Sequence, residues 1–124
     1  MSGRIKVLVA DESRAVRVLL TSLLRDDDRF DVIGEVATAD AVRNYTDGLD
    51  LVVLNIVLED GDAFSVIEDL HARTPPIATA IVAAVDPPYL RAAAASRGAC
   101  GFFTHSMDPV ALLDGLAAAA GRAS

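Results

Sequence analysis

The sequence predicts an α/β domain, a doubly wound (βα)5 chain whose five parallel strands carry helices on both faces. Three observations predict it. Segments such as Leu51–Leu54 are continuous apolar runs rather than alternations, as strands buried on both faces are. Between the runs, apolar residues recur at helical spacing, as Val16, Leu19, Leu20, Leu23 and Leu24 do. Polar residues follow several runs directly, at the strand ends where open parallel sheets place their ligands.

Ile5 to Ala10 forms the first run, broken only by Lys6 and ended by Asp11-Glu12. The first helix follows from Ser13 and stops at Asp26 to Arg29. Phe30 to Val36 is the second strand, with Val32, Ile33 and Val36 around Gly34. A short helix over Ala39 to Tyr45 closes at the Asp47-Gly48 turn signal. Leu51 to Asn55 is the third strand, and Asp62 is placed to cap a helix reaching His71. Ile77 to Val85 is the fourth strand, and Pro87-Pro88 opens an alanine-rich helix that Gly98 ends. Cys100 to Thr104 is the fifth, and Asp108-Pro109 combines a cap with a first-turn proline for the last helix.

At 124 residues with 52% hydrophobic content, the chain is expected to form one domain with a sizeable core. The net charge of −7 repels phosphate backbones and anionic lipid, so no direct nucleic-acid or membrane contact is expected. A lone cysteine, Cys100, allows no internal disulfide and argues against a zinc site; it is expected in the core. The N-terminal apolar run is too short for a signal peptide and no later run reaches membrane-span length, so a cytoplasmic location is expected.

The strand ends present Asp11-Glu12, Asn55, Ala83-Ala84 and Thr104-His105. Two adjacent carboxylates repel, and a divalent cation or a basic partner would be needed to balance them. No nucleophile–base pair or glycine-rich phosphate loop is present, so an independent enzyme is not expected.

Three stretches, VLVADESRAVRVLL, DLVVLNIVLEDGDAF and GACGFFTHSMDPVALLDGL, resemble the receiver domain of two-component response regulators, above all members with a C-terminal helix-turn-helix. The resemblance covers essentially the whole chain. It implies the flavodoxin-like sheet, strand order 2-1-3-4-5. It also implies phosphoryl transfer onto an aspartate, with Mg2+ held by that aspartate and an acidic pair, and a hydroxyl and a lysine gripping the phosphoryl oxygens. Position by position, the acidic pair is Asp11 and Glu12, the acceptor Asn55, the hydroxyl Ala83, the lysine His105 and the aromatic switch Phe102. An amide is a poor nucleophile, Ala83 offers no donor, and His105 is shorter than lysine and only partly charged near neutral pH.

The expectation is therefore an atypical pseudo-receiver, not phosphorylated by the usual route, with no cofactor and at most a weak Mg2+ site at Asp11 and Glu12. Asn55 in place of a third carboxylate avoids an uncompensated charge where the lysine is missing. Such a domain would act in signal transduction by protein–protein recognition, as a homodimer or with a protein partner. The surface would be the face of helix 4, strand 5 and helix 5, where Tyr89 opens helix 4, or helix 1. Glu59 and Asp60 are expected in a solvated turn, His105 as a hydrogen-bonded loop residue and His71 at the surface. The alternatives are a phosphoacceptor using Glu59 or Asp60, a pH sensor at His105, or a small-molecule or metal sensor in a strand-tip pocket.

Overall fold

The computed structural model describes residues 3–45 and 48–122, so Asp47 of the Asp47-Gly48 turn signal lies outside the described residues. Five strands, β1 (Ile5–Ala10), β2 (Phe30–Val36), β3 (Leu51–Leu54), β6 (Ala78–Ala83) and β7 (Gly101–Thr104), pair in parallel in the order β2-β1-β3-β6-β7. A separate antiparallel pair, β4 (Val57–Leu58) with β5 (Gly61–Asp62), follows β3. The parallel sheet has the predicted flavodoxin-like order.

Successive side chains of a strand point to opposite faces, so each apolar run feeds two cores. Val7, Val9, Leu51, Val53, Ala78, Ala80 and Val82 enter one core; Leu8, Ala10, Val52, Leu54, Ile81 and Ala83 enter the other. The first core is closed by Leu20 and Leu24 of α1 (Arg14–Arg25) and by Leu112, Leu116 and Ala119 of α5 (Pro109–Ala120). The second is closed by α2 (Ala39–Asn44), α3 (Ala63–His71) and α4 (Pro88–Ser96). Each fully buried Leu or Val is worth about 1.5–3 kcal/mol of transfer free energy, so a charge at Val53 would break both the strand and its core.

Side chains cap four helices. Ser13 Oγ accepts from Val16 N–H at 3.3 Å, Thr38 Oγ1 from Ala41 at 3.0 Å, Asp62 Oδ1 from Phe64 at 2.9 Å and Asp108 Oδ2 from Ala111 at 3.0 Å. Helix α4 has no such cap and buries only Ala94, because its alanine-rich face gives the sheet little to hold.

Element ends differ from the sequence reading by one or two residues. Asn55 lies beyond β3, Tyr45 caps α2, β6 stops at Ala83 before the exposed Val85, and Cys100 precedes β7. Residue type alone does not mark the last residue of a backbone ladder. The β4–β5 pair was not expected, since two-residue strands leave no periodicity to read. In β2 the register to β1 skips Ile33, whose free carbonyl accepts from Tyr45 Oη at 2.9 Å.

Glycine is required at two kinds of place. Gly98 ends the α4 turn at φ +108, and a Cβ there would lie 2.5 Å from His71 Cγ. Gly101 and Gly115 flank the Phe103 ring, which a Cβ on either would strike. Gly98→Ala should cost about 2 kcal/mol through the left-handed backbone and the His71 clash, lowering the melting temperature by roughly 5–10 °C. An unchanged melting curve would contradict the packing described.

Candidate functional site

Ladder bonds that run one residue past the strands gather the predicted site. Asp11 N–H donates to the Val36 carbonyl at 3.1 Å, Asn55 N–H to Ala10 at 3.1 Å and His105 N–H to Ala83 at 3.2 Å. With Leu54 beside Ala10 and Ile81, and Ala83 beside Thr104, the residues Asp11, Asn55, Ala83 and His105 share the carboxyl end of the sheet. Ala83 is buried, while Asn55 and His105 are half-buried.

Asp11 is 1% exposed, yet its carboxylate has one backbone donor, Ser13 N–H at 2.8 Å, and forms no salt bridge among the described residues. Burial pushes its pKa up, against the opposing pull of the Ser13 amide, His105, Arg17 and the Asn55 side chain. Asn55 acts there as a nearby dipole, since no hydrogen bond between the two side chains is formed within 3.5 Å. Arg17 does not pair with the Asp11 carboxylate either. Its guanidinium donates to the Asp11 carbonyl at 2.7 Å, to the Glu12 carbonyl at 3.3 Å and to Glu35 Oε1 at 2.9 Å, so it fixes the loop backbone. Glu12 itself is exposed.

The Asn55 Oδ1 accepts from the next backbone amide, Ile56 N–H, at 2.9 Å. An aspartate would accept that bond equally well, so the bond alone does not select the amide. One oxygen each of Asp11 and Asn55 is thus already bonded. Among the described residues no three His, Cys, Asp or Glu side chains assemble as a metal-holding group. The oxygens at hand for a cation are those of the buried Asp11, the exposed Glu12 and Asn55 Oδ1, each with a lone pair to spare.

The turn residues Glu59 and Asp60 are exposed, but Asp60 is not merely solvated as expected. Its carboxylate accepts from Ala39 N–H at 2.6 Å and Asp40 N–H at 3.0 Å, capping α2, and these donors hold its pKa low. It is separated from Ala39 by 21 residues, so no local spacing points to it. Arg17, one turn after the Ser13 cap, was equally missed. Phe102 packs half-buried on the core shared with α3 and α4, and Tyr89 stands 73% exposed. Cys100 is half-buried at its core's margin rather than inside it. Two grooves, of about 530 and 500 Å³, lie along α4, and neither is lined by Asp11, Asn55, Ala83 or His105.

A carboxyl whose native pKa lies above its unfolded value binds its proton more tightly when folded. Its contribution to stability therefore falls as pH rises through that window and stays lost above it. Asp11→Asn keeps an acceptor for Ser13 and removes the buried charge. It should stabilise the domain at pH 7 by on the order of 1 kcal/mol, with the gain shrinking as pH is lowered toward about 4. Chemical denaturation across pH checks this; a less stable variant at pH 7 would contradict it.

The fold agrees with that of similar proteins. The family model for the response regulator receiver domain matches residues 7–117. A protein-glutamate methylesterase/protein-glutamine glutaminase of Halalkalibacterium halodurans is 30% identical over 115 residues, 90% of this chain; the chain spans 33% of that relative's length. The receiver domain of the response regulator NarL from Mycobacterium tuberculosis superposes with a TM-score of 0.82 at 21% identity, covering 91% of this chain and 96% of that one. The response regulator ChrA of a heme-sensing two-component system gives 0.81 at 26% identity, over 97% of this chain and 58% of that one. RcsB of Salmonella typhimurium gives 0.81 at 19%, over 98% and 66%. The chain belongs to the response regulator receiver domain family of two-component signalling.

Proposed function

We propose that this receiver signals by docking to protein, with a conformation that is not set by phosphorylation at the strand tips. The observation that carries the reading is Asn55. It follows β3, at the position that the resemblance gives to the acceptor, with its Oδ1 bonded to Ile56 N–H and with Ala83 and His105 at the same end of the sheet. An amide there cannot form an acyl phosphate, and Ala83 has no hydroxyl to hold a phosphoryl oxygen. The substitute acceptor Asp60 is engaged by two backbone amides that keep it ionised and occupied at the start of α2. The site neither depends on Mg2+ nor catalyses a reaction of its own in this reading.

Exposed apolar residues support docking on the two surfaces expected. Tyr89, with Val85 at 63% exposure, lies where β6 passes into α4, beside the edge strand β7. Val18 and Leu19 on α1 and Val110 on α5 are 50%, 43% and 66% exposed. Large apolar side chains grouped on one surface commonly mark contact with another protein. Either face would serve a second copy of the chain or a different partner.

Melting with and without Mg2+ plus beryllofluoride, an acyl-phosphate mimic, tests the reading, together with intact mass after acetyl phosphate treatment. No shift in melting temperature and no phosphoryl adduct are expected. A clear stabilisation or an adduct would overturn it.

A further inference from the structure

We infer that α2 and the loop that follows Asn55 are clamped into one unit that opens and closes as a whole, so that whatever disturbs one of them is felt by the other. Helix α2 is six residues long and buries only Ala39 and Val42. A helix that short does not stand by itself in water, so its position is set by what holds it. Beyond its local Thr38 cap and the Tyr45 hydroxyl on Ile33, its holders among the described residues come from one segment, residues 56–73.

That segment grips α2 at both ends and from below. At the start, the Asp60 carboxylate accepts from Ala39 N–H at 2.6 Å and Asp40 N–H at 3.0 Å, and Glu59 N–H donates to the Ala37 carbonyl at 3.3 Å. Underneath, Leu58 and Ala63 share a core with Ala39 and Val42. At the far end, Arg43 donates to Asp69 Oδ2 and to Ser65 Oγ, both at 2.7 Å, while Arg73 donates to the Arg43 carbonyl at 2.9 Å.

The same segment carries the loop after Asn55. Ile56 N–H donates to Asn55 Oδ1, Ala63 N–H donates to the Ile56 carbonyl at 2.8 Å, and β4 pairs with β5 between them. The β4–β5 turn cannot leave α2 without withdrawing Asp60 from two amides and Leu58 from the core. A disturbance next to Asn55 therefore has a bonded route to α2, and coupling of this kind acts equally in reverse. Helix α4 has no such ties: it lacks a side-chain cap and packs over β7, whereas α2 packs over β1. Asp60 and Arg43 are positioning residues in this unit, one at each end.

Backbone amide hydrogen exchange, followed by NMR on the purified domain, tests the clamp in Asp60→Asn, Asp60→Ala and Arg43→Gln, each first checked for a cooperative melt. The clamp predicts effects at the end that was not altered. Asp60→Ala should speed exchange about tenfold at Tyr45 and Ala63 as well as at Ala39 and Asp40, with a smaller effect in the conservative Asp60→Asn. Arg43→Gln should speed Ala39, Asp40, Glu59 and Ala63 about fivefold, although Arg43 bonds none of them. Amides of β1 and β3 should keep their rates, and Arg91→Gln on α4 should leave every one of these amides unchanged. Faster exchange confined to the altered end would overturn the clamp, as would an equal rise in β1 and β3. The beryllofluoride melt decides phosphorylation independently of either result.

Discussion

A buried carboxylate with one backbone donor constrains the whole carboxyl end of this sheet. Asp11 follows β1 directly, so the ladder that pairs β1 with β2 and β3 also buries it. Its charge is opposed by desolvation and only partly relieved by the Ser13 amide and the more distant His105 and Arg17. A second carboxylate at the tip of β3 would add repulsion close to that charge. An amide at Asn55 keeps the strand-end hydrogen bond without the charge. Arg17 stabilises the loop by gripping its carbonyls, which leaves the carboxylate itself unpaired.

Much of the fold was legible because its signals are local. Apolar runs become strands that feed two cores by alternation, and Ser13, Thr38, Asp62 and Asp108 cap helices from positions next to them in the chain. The strand-tip residues could be located because strand ends follow from the runs themselves. What escaped depends on contacts distant in sequence. Asp60 reaches the start of α2, Tyr45 satisfies the bulged Ile33 carbonyl, and His71 meets Gly98. The groove beside β7 is assembled from α3, α4, β7 and the end of α5, so no single stretch announces it.

These features divide the domain by how firmly its parts are held. At the strand-tip end, Asn55 and His105 are fixed by backbone bonds that run past β3 and β7, beside the buried Ala83. The flank formed by α4 and β7 is loosely held: α4 buries one alanine, lacks a side-chain cap and borders an unpaired strand edge. Elements with few buried contacts are the ones that yield to a partner at least cost. In the docking reading proposed above, the partner supplies the differential contacts that any shift of state requires.

The central claim is that Asn55 is an amide because Asp11 is buried and unpaired. Measuring the stability of Asn55→Asp against wild type across pH, without divalent cations, tests it most directly. The account predicts that the variant is less stable at pH 7 by about 1–2 kcal/mol, and that the deficit closes toward about pH 4 as the carboxylate pair takes up a proton. Equal stability at pH 7 would contradict it.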